Sequence, residues 1–539
     1  MTTGWNFADV WEAVAGRFPG EPAQRYGSRT VSWAELDRRA DGVAAALVDV
    51  GLSHQAKVAQ LLYNAPEYLE SVFASFKVGL VPVSVNYRYT GDELVYLLDN
   101  ADAEAVVFHG SLAGVCDEIR PRLPRVRRWL WVADDGAGAC PAWAVPYEEA
   151  ATSGMRPLAV PRSGDDLMLL YTGGTTGAPK GVMWPQDTLF RMLEELNGAV
   201  PAPDADAAAH AAGLARPGPL VLPAAPLMHG TAMWFVLPVL SRGGSVITLP
   251  QRSFEPEALL DALCLHRVKG LCIVGDAFAR PLVAALDADP ERWDLSGLRV
   301  VFSSGVSFSA ETQAALLRHA TGAVVVDSLG SSESGGLART QARAGSGAPA
   351  PRFTVGRTTR VVDETGADVE PGSGRRGRLA VTGHIPLGYY RDPEKTAETF
   401  VTIDGVRYVV AGDWAEVEAD GTIRLLGRGS VCINTGGEKV YPDEVEVAVK
   451  RAAGVRDAVV VGVPDERFGE TVVAVIEAEP GAAVDPGEVT AEVRRTLAGY
   501  KAPRRVVVVP SLERAPNGKA DYRRLRDLAI AALAVPGGG

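Results

Sequence analysis

Residues Tyr171 to Val182 read YTGGTTGAPKGV. Thr172, Gly173, Gly174, Thr175, Thr176 and Gly177 put bare glycine backbone and hydroxyl donors in one short run, and Lys180 adds a cation. Glycine lets backbone N–H groups approach a phosphate closely, and hydroxyls with a lysine complete such a cradle. The apolar run Leu167 to Leu170 reads as a strand leading into this loop. A Walker A loop requires Gly-Lys-Ser/Thr, whereas Pro179 precedes Lys180 and Gly181 follows it, so the P-loop signature is absent. A generic Gly-rich loop would read as a solvated Gly/Thr turn, but twelve residues in this order favour the phosphate cradle.

The chain upstream alternates helix and strand. Ser32 with Glu35 predicts a capping box, Leu36, Ala40, Val43 and Leu47 follow at helical spacing, and Gly51 ends the helix. A strand at Lys57 to Leu62, a helix from Pro66 to Gly79, a strand at Val81 to Val83, a helix opened by Thr90 and Glu93, and a strand at Ala105 to Phe108 come next. This alternation predicts an α/β fold with doubly wound parallel sheets. Strands at Gly244 to Leu249 and Leu298 to Ser303 continue the pattern to about residue 340. From 341 to 428 short strands between Gly and Pro turns predict a small β-rich subdomain. After a bend placed at Gly429-Ser430, residues 429–539 predict a mobile α+β domain: a helix from Pro442, strands at Ala458 to Val463 and Thr471 to Ala478, and a helix over Glu488 to Leu497.

The 539 residues suit roughly three or four domains or subdomains. Lys plus Arg number 54 against 66 Asp plus Glu, a net charge of −12, which argues against nucleic acid or an anionic membrane as the partner. The five cysteines fall in no metal-like spacing and suit a reducing compartment. Residues 1–18 lack the apolar region of a signal peptide, and the uncharged run Pro217 to Leu240 is broken by prolines and reads as a strand and loop feeding a buried helix, not a membrane span. A cytoplasmic location is expected, and a homodimer is carried as the candidate assembly.

Further along stand PLMHG (Pro226 to Gly230), DSLGSSE (Asp327 to Glu333), Gly412-Asp413, Gly427-Arg428, Gly436-Gly437-Glu438 and PNGK (Pro516 to Lys519). In this order, with the Tyr171 stretch, the chain resembles the adenylate-forming superfamily, which includes AMP-forming acyl-CoA synthetases. The resemblance covers almost the whole length. It implies ATP, Mg²⁺ and coenzyme A as cosubstrates or cofactors, and a large AMP- and acyl-binding domain followed by the mobile domain. Adenylation drives a carboxylate against the α-phosphate of ATP, so charge must be neutralised before the bond forms. The resemblance gives that task to Lys519, with Ser332 on the α-phosphate, Glu333 on Mg²⁺, and Thr172 to Thr176 with Lys180 on the phosphates. It also implies that Gly305, Val306, Ser307 and Asp327 to Ser332 border AMP, that Asp413 and Arg428 hold the ribose, and that Gly436 and Gly437 line the path of coenzyme A. His229 would gate the thiol tunnel beside an acyl pocket of Met228, Met233, Trp234 and Gly330. As isolated residues, Glu333, Asp413, Arg428 and Lys519 would read as solvated or structural, and His229 as a core histidine.

Three departures from the family pattern stand out: Leu329 where adenine usually stacks on an aromatic ring, Ser430 at the hinge where Asp or Lys is usual, and Gly330 leaving room at the head of the acyl pocket. Gly230 stands where relatives that activate amino acids carry an Asp, and an amine buried there would be unpaired, so an amino-acid substrate is not expected. No carrier-protein segment follows Lys519, which suits a free-standing ligase. The runs GRGSVCINTGGEKV and TGGTTGAPKGVMW resemble the subgroup that takes steroid side-chain and other bulky polycyclic acids. The alternatives are a carrier-loading acyl-AMP ligase, an ordinary medium- or long-chain fatty acyl-CoA synthetase, and an inactive nucleotide-binding regulator.

Overall fold

The computed structural model describes residues 4–136, 138–154, 158, 160–173, 178–199, 206–305, 308–345, 353–356, 358–428, 433–479, 481–513 and 520–534. Among these, two large sheets form the N-terminal part. A seven-stranded sheet runs in the order Val145–Pro146, Arg128–Val132, Ala103–His109, Lys57–Leu61, Val81–Ser84, Leu167–Gly173, Pro179–Pro185. It is parallel as far as Leu167–Gly173, and Pro179–Pro185 closes it as an antiparallel hairpin. A nine-stranded sheet has a parallel centre of Ser245–Thr248, Leu220–Pro223, Gly270–Ile273, Val300–Ser304 and Val324–Ser331. It continues antiparallel through Gly335–Arg343 to Thr354–Val355. Central strands buried on both faces read as continuous apolar runs such as Val81 to Val83, which is why the α/β expectation holds.

The helices begin where local chemistry allows. Ser32 caps Trp33–Asp49 by accepting from the Glu35 N–H, and Thr90 with Glu93 forms a complete capping box for Gly91–Asn100. Pro66 opens the wholly buried helix Pro66–Lys77 without a side-chain cap, since its missing N–H would have lacked a helical partner anyway.

Strands between Thr359 and Arg428 build a separate six-stranded sheet. A five-stranded sheet of Ile433–Thr435, Glu438–Val440, Val455–Asp465, Gly469–Ala478 and Arg505–Val509 forms the C-terminal part. Its two faces carry separate cores, one under the helices Pro442–Val449 and Pro486–Thr496 and one under Tyr522–Ala534. Among the described residues no helix is long and apolar enough to cross a membrane.

Candidate active site

A cavity of about 1150 Å³ lies between the strands of the nine-stranded sheet, the helix Gly230–Ser241 and the C-terminal part. His229 is the N-cap of that helix. Gly230, Thr231, Trp234, Phe235, Pro238, Val239 and Arg242 form the helix face that lines the cavity, and Met228 and His229 precede them there. Met233, expected in the acyl pocket, points elsewhere: one residue before Trp234, it lies about 100° around the helix and is fully buried in the core.

The strand Val324–Ser331 follows the period-2 rule. Val326, Ser328 and Gly330 line the cavity, while Asp327 and Leu329, expected to border AMP, alternate to the other face. Asp327 lies against Ser303 and Asp276. Burial raises its carboxyl to about 7, the Ser303 hydrogen bond opposing and the Asp276 charge reinforcing the shift. Gly330 lines the cavity, yet a Cβ there would stand 2.1 Å from the Gly335 carbonyl oxygen. Its lack of a side chain therefore serves the tight Val324–Ser331 and Gly335–Arg343 hairpin and not the acyl pocket alone.

The Tyr171 stretch is more strand-like than its composition suggests. Thr172 and Gly173 belong to Leu167–Gly173, Lys180 belongs to Pro179–Pro185, and Thr172 pairs with Lys180 across the hairpin. Gly174, Thr175 and Thr176 lie outside the described residues, as do Val306 and Ser307, the Gly429-Ser430 bend and Lys519. Lys180 is paired with Asp392, held there because the hairpin is zipped to 387–390 through Met183 N–H to Gly388 O and Tyr390 N–H to Gly181 O. That strap also carries Tyr389, whose hydroxyl donates to Glu333 Oε1 at 2.8 Å. Trp184 Nε1 donates to the Ser332 carbonyl at 2.9 Å. Strand, strap and Ser331 to Glu333 are thus one hydrogen-bonded unit. Asp413 and Arg428 face each other in register at the ends of Asp413–Val417 and Ile423–Arg428. Ser331, Ser332 and Gly305 line the cavity with Thr172; Glu333 and Asp413 do not.

The C-terminal part closes the cavity. Gly437 and Glu438 line it, and Gly437, at φ +90°, sits so close to Val274 that a Cβ would come within 3.0 Å of its Cγ1. Gly436 lies one residue away from the cavity wall, against Phe468. Glu438 Oε1 is 3.5 Å from His229 Nε2 and 3.3 Å from Arg88, and Asn86 Nδ2 donates to its other oxygen at 3.3 Å. Burial alone would push the Glu438 carboxyl up, but His229, Arg88 and Asn86 outweigh it and hold it below the ordinary carboxylate range. Glu438 and Trp184 stand within quoted motifs that give neither a role, and Tyr389 and Asn86 lie outside every motif. Their partners lie tens to hundreds of residues away, so no local pattern signals them.

Among the described residues no group of three or more His, Cys, Asp or Glu could hold a metal. A single carboxylate such as Glu333 suits Mg²⁺ that keeps its remaining ligands on phosphates and water.

Residues 11–390 match the family model described as AMP-binding enzyme, and 444–519 match the AMP-binding enzyme C-terminal domain. The chain is 40% identical over 97% of its length to the medium/long-chain-fatty-acid–CoA/3-oxocholest-4-en-26-oate–CoA ligase of Mycolicibacterium smegmatis, covering 96% of that protein. It is 40% identical to the 3-oxocholest-4-en-26-oate–CoA ligase of Rhodococcus rhodochrous, over 97% of this chain and 95% of that one. The amide bond synthetase McbA from Marinactinospora thermotolerans superposes with a TM-score of 0.79 at 25% identity, over 97% of this chain and 99% of that one. Two family models in the right order, full-length relatives and the doubly wound architecture lead to one conclusion: the chain belongs to the AMP-binding enzyme family.

Proposed function

We propose that the chain is an ATP-dependent acid–thiol ligase that adenylates a hydrophobic, bulky carboxylic acid and transfers the acyl group to coenzyme A. The observation that carries this reading is one continuous cavity bordered by Thr172, Ser332 and Gly305, by the apolar face of the His229 helix, and by Gly437 and Glu438. A nucleotide end, an acyl trough and a thiol entrance are what the two half-reactions require in one place. In the first, the carboxylate oxygen attacks the α-phosphorus and pyrophosphate leaves. Lys519 supplies the cation for that step, Ser332 a donor, and Thr172 with Lys180 the phosphate contacts; Asp413 and Arg428 hold the ribose. Glu333, oriented by Tyr389, would hold Mg²⁺, which neutralises the pyrophosphate leaving group when bound. In the second, the thiol sulfur attacks the acyl carbonyl and AMP leaves, with Gly436 and Gly437 on the thiol's path beside His229.

The trough's long wall carries Trp234, Phe235 and Phe302, a broad apolar and aromatic surface that favours a bulky acid. The relatives are named for medium- and long-chain fatty acids and for a steroid acid, and the wide trough points to the polycyclic end of that range. Pyrophosphate release across fatty, aromatic and polycyclic acids, with and without coenzyme A, tests the reading. Acid-dependent release with acyl-CoA formed from polycyclic acids is expected. Release without CoA thioester would identify a carrier-loading ligase, and ATP binding without release an inactive regulator.

A further inference from the structure

The acyl cavity has a far end with a chemistry of its own. Its helical wall, Gly230–Ser241, is 12 residues long, about 18 Å at 1.5 Å per residue. Its sheet wall runs from Arg299, just before the strand Val300–Ser304, to Gly305 just after it, about 20 Å at 3.3 Å per residue. The two rulers agree. His229 and Gly305 mark the end where the acyl carboxylate reacts, and Arg242 and Arg299 mark the opposite end.

Cations from four separate segments converge on that opposite end. Lys269 and Arg299 immediately precede neighbouring parallel strands whose first residues, Gly270 and Val300, are register partners. Arg216 precedes the adjacent strand Leu220–Pro223, and Arg339 reaches in from the antiparallel strand to bond the Leu196 carbonyl. Lys269 bonds the Gly297 carbonyl, and Arg299 the carbonyls of Ser296 and Leu298. Neutral carbonyls leave these charges uncompensated. Among the described residues none of the four has a carboxylate within ion-pair distance, whereas nearby Arg242 is matched by Glu194. Unmatched cations grouped at one mouth are unexpected by chance in a chain of net charge −12. Arg216, Arg299 and Arg339 are exposed and Lys269 half-buried, so the four cations rim one mouth of the cavity behind its apolar wall. Few, well-placed polar groups at the end of an apolar pocket fix ligand orientation.

We infer that this end is a recognition subsite for an oxygen acceptor, a ketone or a second carboxylate, carried by the acid about 18–20 Å from its reacting carboxylate. The inference rests on the ligase reading above. Its test compares kcat/KM, from pyrophosphate release with coenzyme A present, for three acids of that length: an unsubstituted alkanoic acid, its ω-oxo analogue and its α,ω-dicarboxylate. The wild type should favour the oxygen-bearing acids by roughly three- to tenfold, the scale of one or two solvent-facing charge contacts. In K269Q/R299Q the ratio to the plain acid should fall toward parity, and Arg216→Gln, at an exposed position, should lower it in the same direction should the double variant fold poorly. Added salt should erode the dicarboxylate's advantage more than the ketone's. A wild type without the preference, or a preference equal in wild type and variants, overturns the subsite while plain acids still turn over. If no acid releases pyrophosphate, the ligase reading fails and the subsite with it.

Discussion

Lys501 Nζ lies 2.5 Å from Glu93 Oε1, a buried ion pair that fastens the C-terminal sheet to the N-terminal part. The same ammonium meets Glu444 Oε2 at 2.9 Å, and the Ala498 N–H donates to the second Glu93 oxygen at 2.9 Å. This docking sets Gly437 and Glu438 against the cavity. Removing one partner of a buried pair strands the other charge at a cost of about 3–5 kcal/mol, against at most about 1 kcal/mol for an exposed pair. Lys501→Ala should therefore undock the C-terminal part. Thioester formation from supplied acyl-AMP should fall about tenfold or more, while acid-dependent pyrophosphate exchange stays within about threefold. Equal losses in both half-reactions would show that the pair supports the whole fold and not one arrangement of it.

The same cluster makes stability depend on pH. Two carboxylates share one ammonium between the Tyr89 and Tyr500 rings. Burial raises Glu444 to about 7; Lys501 opposes the shift, and the Glu93 charge adds to it. A folded pKa above the unfolded value means that the folded chain holds this proton more tightly. The contribution is present in full below the unfolded pKa, near 4.5, and is lost as pH rises through 7. Thermal unfolding of the C-terminal part should therefore shift down between pH 6 and pH 8 by a few degrees, and Glu444→Gln should flatten that slope. An unchanged slope in the variant would place the titration elsewhere.

Glu93 shows how far the sequence could be read. Thr90 with Glu93 announces a helix start, and the capping box is there, but nothing local tells that Glu93 also receives Lys501, 408 residues later. The α/β architecture was legible because central strands are short apolar runs between capped helices. The Tyr171 stretch misled in one respect: glycines and threonines read as loop from Thr172, yet the ladder to Pro179–Pro185 carries Thr172 and Gly173 on as strand. Met233 was misplaced because an almost wholly apolar helix has no polar face from which to judge its phase. The far-end cations are invisible to any motif, since four distant segments supply them.

Lys519 and Gly437 should separate the two half-reactions. Lys519→Ala should cost about 3 kcal/mol or more of transition-state stabilisation in adenylation and spare thioester formation from synthetic acyl-AMP. Gly437→Val should do the reverse. Its positive φ is strained for a branched side chain, and the added atoms meet Val274. Single-turnover measurements of each half-reaction check both, and matching profiles for the two variants would refute the division of roles.

Tyr389→Phe removes the donor that orients Glu333 and leaves the ring packed against Phe400. Loss of an outer hydrogen bond to a metal-binding carboxylate typically weakens metal affinity or activity about 10- to 100-fold. The Mg²⁺ concentration for half-maximal pyrophosphate release should rise, with the KM for the acid unchanged. A shift in the acid KM alone would instead tie Tyr389 to the strap that holds Lys180.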